Sequence, residues 1–503
     1  MQTVGKILLW GGIILLLAQV CNFVLSLNNT ISSPNIPSSP QPALIAASLD
    51  NGVVYFTANE AIHALRASDG RVMWQHFGGS LNPPVVAGGM IYQVDFRTIV
   101  AFSASDDRPL WNFFSFEDEG GGPGNTQIVQ ITGDRLYAYD GQVLDVLIPA
   151  SGTRVWSTND ATNAIDINTL TLNNGIAYYA IHNRSDATTT PTTAPIDDAI
   201  VARRASDGSP RWTYSLSHNT QSCSITAITS AGDTLYASAS CANGTGRTFA
   251  LRTSDGALLW QSSISGQFSV VNGVVCIHVT SASPVLADLY VLEASSGNLL
   301  WQDTPGSSQH QTQAWTPGNG YLYLLDNGTL KALRLSDGHM AWSMGFPYNA
   351  ASPTFETFSN PVFLGALNNI IYLQSSVVNQ STHVAFNRLY AVQASTGKQL
   401  WSFQRDQFNL TWSTTSIDAS ANTIAIQGLD EQHPTAVYLL RAADGQLLGS
   451  ILQTQAASTV LIANNIIYMT SISGDGNATP FSYHIETFQP NSQGNQPLWS
   501  FVA

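Results

Sequence analysis

Five aspartates, Asp69, Asp207, Asp255, Asp337 and Asp444, recur in one local setting, each followed at once by glycine. Carboxylates repeated in this way could ligate a cation or share protons if the fold gathered them. A denser acidic group, Glu117, Asp118 and Glu119, runs into Gly120–Gly122. It reads either as a solvated loop or as a cation or partner contact. Trp315 and Trp412 could stack on a ligand, or fill a channel or core. The four cysteines are Cys21, Cys223, Cys241 and Cys276, with no C-x-x-C metal spacing among them. The ten histidines are dispersed without ligand spacing. No G-x-S-x-G, H-E-x-x-H, P-loop or G-x-G-x-x-G occurs.

What must position these residues is a repeat. Ala64 to Trp74 reads as a short apolar strand, a Ser-Asp-Gly turn, a second strand, and a tryptophan four residues after the glycine. The same unit returns at Gly152/Trp156, Gly208/Trp212, Gly256/Trp260, Gly297/Trp301, Gly338/Trp342 and Gly397/Trp401. Asp107 stands for the glycine before Trp111, Gly449 stands for the tryptophan after Gly445, and a stretched copy ends at Trp499. That makes ten copies, spaced from 37 residues (Trp74 to Trp111) to 59 (Trp342 to Trp401), which suits a propeller or array. Asp-Gly between apolar runs predicts a hairpin, because glycine accepts positive φ and aspartate bonds its own turn. One aspartate per turn explains the five carboxylates without a metal. Arg66, Arg204, Arg252, Arg334 and Arg441, each four residues before the turn glycine, can pair with them.

Each unit predicts four strands. In the first they are 44–48, 53–57, 62–66 and 71–77, with an "Ile-Tyr" or "Leu-Tyr" second strand in many later units. The residue before tryptophan is apolar in most copies (Met73, Leu110, Val155, Leu259, Leu300, Leu400) and faces opposite to it. Both faces of the sheet are therefore expected to be covered. Insertions at 115–125, 182–198, 280–288, 375–387, 430–435 and 473–480 lie, apart from the first, mostly between second and third strands. Loops sharing that position crowd one face of a ring, the candidate binding face. Trp315 and Trp412 fall in first strands, which line the channel of a propeller.

The two ends and the charge balance bound the setting. Lys6 precedes Ile7 to Leu27, an apolar run of about 20 residues that suits a membrane span better than a signal-peptide core of about 7–15. Residues 1–27 are accordingly expected to be a membrane anchor, with a cleaved signal segment or a lipidated Cys21 as alternatives. Residues 28–42 form a Ser/Pro-rich linker, and residues 43–503 the repeat domain, placed on the extracytoplasmic side of a single-pass anchor. Cys223 and Cys241 fall in consecutive strands of one unit, so an exported domain would allow a disulfide there; a free buried thiol is the alternative. The net charge of −14, with no basic run, speaks against nucleic acid as a partner.

The repeat, a small residue before an apolar one, then Ala-Ser-Asp-Gly and a tryptophan, resembles the PQQ-like β-propeller repeat over about residues 43–503. That repeat is shared by quinoprotein alcohol dehydrogenases and by BamB, the outer-membrane assembly lipoprotein. The resemblance implies an all-β propeller of four-stranded antiparallel blades, eight to ten of them given ten copies. It further implies blade-docking roles for Trp74, Trp111, Trp156, Trp212, Trp260, Trp301, Trp342, Trp401 and Trp499. The quinoproteins resemble one another in adjacent cysteines over the cofactor, a calcium held by carboxylate and amide groups, and an aspartate base. No Cys-Cys pair occurs here, and Asp475-Gly476-Asn477 is a fragment without the ligand series of a calcium loop. The expectation is therefore a BamB-like interaction or scaffold module with a protein partner in the cell envelope, no cofactor, no metal and no catalytic residue. The alternative is a divergent PQQ-dependent quinoprotein dehydrogenase.

Overall fold

The computed structural model describes residues 47–58, 61–77, 84–95, 98–114, 126–158, 163–183, 198–216, 223–241, 244–279, 289–303, 312–326, 329–345, 356–358, 362–379, 384–404, 409–418, 422–429, 435–453, 457–463, 466–473, 482–489 and 497–502. The segments read as anchor and linker, 1–27 and 28–42, lie outside the described residues. Ten antiparallel sheets follow one another along the chain. They span 47–77, 85–114, 127–157, 163–215, 223–262, 267–303, 312–345, 356–404, 409–453 and 457–502, and are called blades 1 to 10 here. The first strands of several neighbouring blades approach one another, so the sheets radiate from them as the blades of a propeller.

Local chemistry explains each blade. In blade 1, Val53–Ala58 pairs with Ala61–Arg66, which pairs with Val72–Phe77. The last turn is held by Gly70 N donating to Arg66 O at 2.8 Å and by Arg71 N donating to the Asp69 carboxylate at 3.1 Å. The register slips by one residue between Ala64 and Leu65, and the same bulge recurs in the corresponding hairpin of most blades. Blade 8 departs from four strands. Its ten-residue strand Ile370–Asn379 pairs with Val362–Leu367 near its start and with Glu356–Phe358 at its end. The insertion expected as a loop at 375–387 is thus largely strand, because Ile370–Asn379 and Val384–Gln393 run past the usual blade edge.

The seams between blades hold the core. Each cluster of buried side chains draws on two adjacent sheets, as Tyr372, Ala391 and Trp401 of blade 8 do with Ile424, Leu440 and Ala442 of blade 9. Second and third strands are buried on both faces: Val54, Tyr55 and Phe56 in succession are at most 2% exposed. Fourth strands are not. Met73, Leu110, Leu259, Leu300 and Leu400, expected to be covered, are 37–42% exposed. The reason is radial. Blades diverge outward, so the sheet facing the fourth strand on its trailing side stands too far away to cover it, while the tryptophan on the other side is long enough to reach its neighbour.

Nine tryptophans make that reach. Each indole N–H donates to a backbone carbonyl one or two residues past the third strand of the next blade, at 2.8–3.1 Å. The acceptors are Ala104, Pro149, Ala205, Thr253, Ala294, Leu335, Ala394, Ala442 and, for Trp499, Ala67. The ring of each indole lies on the turn of the next blade. A Cβ on Gly70 would stand 2.4 Å from Trp499, and φ there is +69°, so the position excludes a side chain twice over. Under Trp74 the turn residue is Asp107 instead, at φ 60°, and its carboxylate meets His76 Nδ1 at 3.0 Å. In six blades the second-strand tyrosine donates its hydroxyl to the same carbonyl at 3.0–3.4 Å: Tyr55, Tyr92, Tyr178, Tyr236, Tyr323 and Tyr372. Its ring stands 5.6–6.0 Å from the tryptophan's. One carbonyl thus accepts twice, and the "Ile-Tyr" pattern gains a reason.

One seam lacks this device. Blade 9 has Gly449 in the tryptophan position and Ala425 in the tyrosine position. Opposite the tryptophans stands alanine in six blades, but opposite Gly449 stands Leu439. Phe488 of blade 10, fully buried, occupies the place that Leu65 takes in blade 1. Leu439, Phe488, Met469 and Ile451 fill the seam by volume alone.

Candidate functional site

The turn aspartates are not gathered. Each stays in its own blade and pairs with its own arginine: Arg66–Asp69 at 3.0 Å, Arg204–Asp207 at 3.5, Arg252–Asp255 at 2.8, Arg334–Asp337 at 3.2 and Arg441–Asp444 at 2.9. Their carboxylates sit below the usual range, chiefly because the backbone N–H two residues on donates to Asp69, Asp255, Asp337 and Asp444. Exposed pairs of this kind are screened by solvent and add little to stability. Among the described residues no three His, Cys, Asp or Glu side chains assemble as metal ligands.

Strand direction sorts the two faces of the ring. Ser-Asp-Gly turns and first-to-second turns lie on one face. Second-to-third connections and the crossings between blades start and end on the other. Residues 115–125, which join blades 2 and 3, therefore attach to the same face as the remaining insertions. Glu117, Asp118 and Glu119 themselves lie outside the described residues. Trp315 and Trp412 are in first strands, Thr312–Gly318 and Asn409–Asp418; their side chains are outside what is described.

Titratable side chains do converge on the insertion face of blades 4 and 5. His182, at the end of Ile176–Asn183, and Asp198, just before Ala199–Arg204, bracket residues 184–197. His182 Nδ1 lies 2.6 Å from Asp198 Oδ2, and Nε2 lies 3.9 Å from Asp166 Oδ2 on the first strand. Asp198 is 2% exposed and also accepts from Ile225 N of blade 5 at 3.0 Å, while its carbonyl accepts from Leu216 N at 2.9 Å. Asp166 opens a wide bulge, across which the register jumps to Thr171. Thr169 holds that bulge, donating to Asp166 O at 2.6 Å and accepting from Ala180 N at 2.7 Å. The Asp166 and Asp198 carboxylates push His182 up to about 9, and His182 in turn holds Asp166 below the usual carboxylate range. At neutral pH the imidazole is a cation between two carboxylates, a clamp at the base of the insertion rather than a base awaiting a proton.

The neighbouring blade is tied at the same edge. Cys223, the first residue of its first strand, and Cys241, the last of its second, are register partners and form a disulfide of 2.01 Å. Cys276 is a buried thiol that burial pushes up to about 12, so it is not a nucleophile at neutral pH. Its place in Val274–His278, in register with Val291 and Trp301, is the place that tyrosine takes in eight other blades. The His182 clamp was not legible in the sequence. Its three members are separated by 16 residues on either side of His182, and only the bulge and the blade pairing bring them together.

The family of outer membrane protein assembly factor BamB matches residues 32–193, 185–344 and 287–477, which together run from 32 to 477. The chain belongs to this family. BamB from Moraxella catarrhalis is similar at 18% identity over 69% of this chain and 93% of its own, with a TM-score of 0.34. Quinohemoprotein alcohol dehydrogenase from Comamonas testosteroni is similar at 12% identity over 91% of this chain and 76% of its own, with a TM-score of 0.38. Likeness at that level carries no activity from one protein to another. No curated protein sequence matches the chain. Among the described residues the disulfide joins cysteines 18 residues apart on neighbouring strands, and no three His, Cys, Asp or Glu side chains gather beside it.

Proposed function

We propose that this BamB-family propeller is an extracytoplasmic, membrane-anchored interaction module, and that it engages a protein partner through the insertion face of blades 4 and 5. The observation that carries the reading is the fastening of that edge. The His182 clamp ties the strand ends that bracket the 184–197 insertion, and the Cys223–Cys241 disulfide ties two strand ends of the next blade on the same face, while the opposite face repeats the same turn from blade to blade. Recognition loops on a rigid scaffold are where binding residues collect. In this reading the apolar run Ile7 to Leu27 holds the chain at the membrane and the Ser/Pro-rich linker lets the propeller reach its partner. The test is site-specific photo-crosslinking in cells with the full chain. A cross-linking side chain at Thr190, in the insertion, should give a discrete protein adduct, and one at Asn272, on the opposite face, should not. Equal adducts at both, or none at Thr190, would reject the assignment of this face.

A further inference from the structure

Blades 3 and 4 break the repeat at two positions, and the fold brings the two together. The residue before the docking tryptophan is apolar in the other nine units (Met73, Leu110, Val155, Leu259, Leu300, Ala341, Leu400, Leu448, Leu498), but Arg211 in blade 4. The first residue of the second strand is uncharged in the other nine blades, but Arg135 in blade 3. Neither substitution is asked for by the turn or the docking. Both line one groove of about 470 Å³ on the tight-turn face at the blade 3–4 seam. Arg204 lines it too, with the Asn174-Gly175 turn and Ile176 as its floor.

The three guanidinium groups are held differently. Arg135 is largely buried and anchored, donating to the Asp134 carboxylate at 2.6 Å and to Ser206 O of blade 4 at 3.1 Å. Its Nε–H is buried and meets no acceptor among the described residues, an open donor at the groove. Arg204 shares its charge with Asp207. Arg211 is exposed and has no carboxylate partner among the described residues. Asp134 and Asp207 thus neutralise one arginine each, and the net charge offered is that of Arg211. In a chain with 19 cations against 33 acids, a seam left with one unpaired arginine beside two paired ones is locally positive. Guanidinium groups present planar, forked donors that match the paired oxygens of phosphate and carboxylate.

We propose that this seam is a binding site for a small organic anion carrying a phosphate or carboxylate group, with the oxyanion between Arg211 and Arg135 and the remainder of the molecule over Ile176. The site lies on the face opposite the insertions, so its fate is separable from that of the partner-binding reading.

The test titrates inorganic phosphate, pyrophosphate and succinate into the full chain by calorimetry, at constant ionic strength to remove general screening. Saturable binding by the wild-type chain is expected, with the two classes of probe showing whether phosphate or carboxylate is preferred. Arg211→Leu installs a residue that another blade carries at this position (Leu110), so it should keep the wild-type melting temperature in anion-free buffer; Arg135→Val also removes the bond to Ser206 O and should melt lower while still folding. Each should weaken binding by about tenfold or more, the loss of one charge-assisted hydrogen bond. Absence of saturable binding in the wild-type chain, or equal affinity in a folded Arg211→Leu variant, would overturn the assignment.

Discussion

Blade 10 presents one face to blade 1 and the other to blade 9, and the two seams are filled in different ways. Toward blade 1, Trp499 lays its ring on Gly70 and donates to Ala67 O, with Tyr468 beside it in the same core. Toward blade 9 there is neither tryptophan nor tyrosine, since Gly449 and Ala425 stand in their places. Leu439 and Phe488 restore the missing volume from the other side. A directed hydrogen bond and a ring on a glycine are therefore one solution to holding two blades together, and close-packed aliphatic and phenyl groups are another.

The comparison can be broken at either seam. Trp499→Ala should give the largest loss, about 3–5 kcal/mol, because it empties a buried site and leaves Ala67 O without its indole donor. If packing alone sustains the other seam equally well, Phe488→Ala should cost a similar about 3–5 kcal/mol. Urea unfolding midpoints of the two variants test this; a Phe488→Ala loss below about 1 kcal/mol would show that the blade 9–10 seam is not held by volume. A smaller effect sharpens the same point. Gly449→Trp restores the repeat locally but enters space already taken by Leu439 and Phe488. It should destabilise by about 1–3 kcal/mol, and adding Leu439→Ala should recover part of that. A stabilised Gly449→Trp single variant would mean the seam keeps an unfilled slot. Smallest is Tyr372→Phe, which removes one of the two donors to Ala442 O while Trp401 keeps the other. The expected loss is about 0.5–1.5 kcal/mol, measured in the same way, and a loss approaching that of Trp499→Ala would contradict a shared acceptor.

The seams also show which signals a one-dimensional reading carries. The Asp-Gly hairpin and the tryptophan four residues on are set by turn chemistry within a dozen residues, so blade, repeat and ring were legible from them. What the tryptophan bonds to was not, because its acceptor lies 30 to 52 residues further on in eight seams and 432 residues away in the ninth. The tyrosine pattern was visible as a pattern, yet its purpose depends on a carbonyl in the next sheet. Met73 and its equivalents were misread because alternation tells which face a side chain takes, not how far away the next sheet stands. Gly449 read as a degenerate copy; its compensation by Leu439, Ala425 and Phe488 exists only across two blades. Of the candidate sites, the paired cysteines were visible from strand adjacency, whereas the His182 clamp needed the bulge at Asp166 to form. Arg211 and Arg135 were legible in principle, since laying the ten units side by side exposes both as exceptions.

Among the described residues each blade is built from one stretch of chain, and the sheets of blades 1 and 10 share no strand. The ring therefore closes by side-chain packing between sheets that lie 432 residues apart at the Trp499–Ala67 contact. On a ribosome adding about 5–20 residues per second, blade 1 waits on the order of tens of seconds for its neighbour. Through that interval the face formed by Val54, Phe56 and Leu65 lacks Tyr468, Ile485 and Trp499, the blade 10 side chains that cover it in the closed ring. The arc of nine finished blades carries an apolar surface at each end, where a second nascent copy competes with blade 10. Intramolecular closure is then a race against dilution by neighbours, which slow expression and chaperone supply would favour.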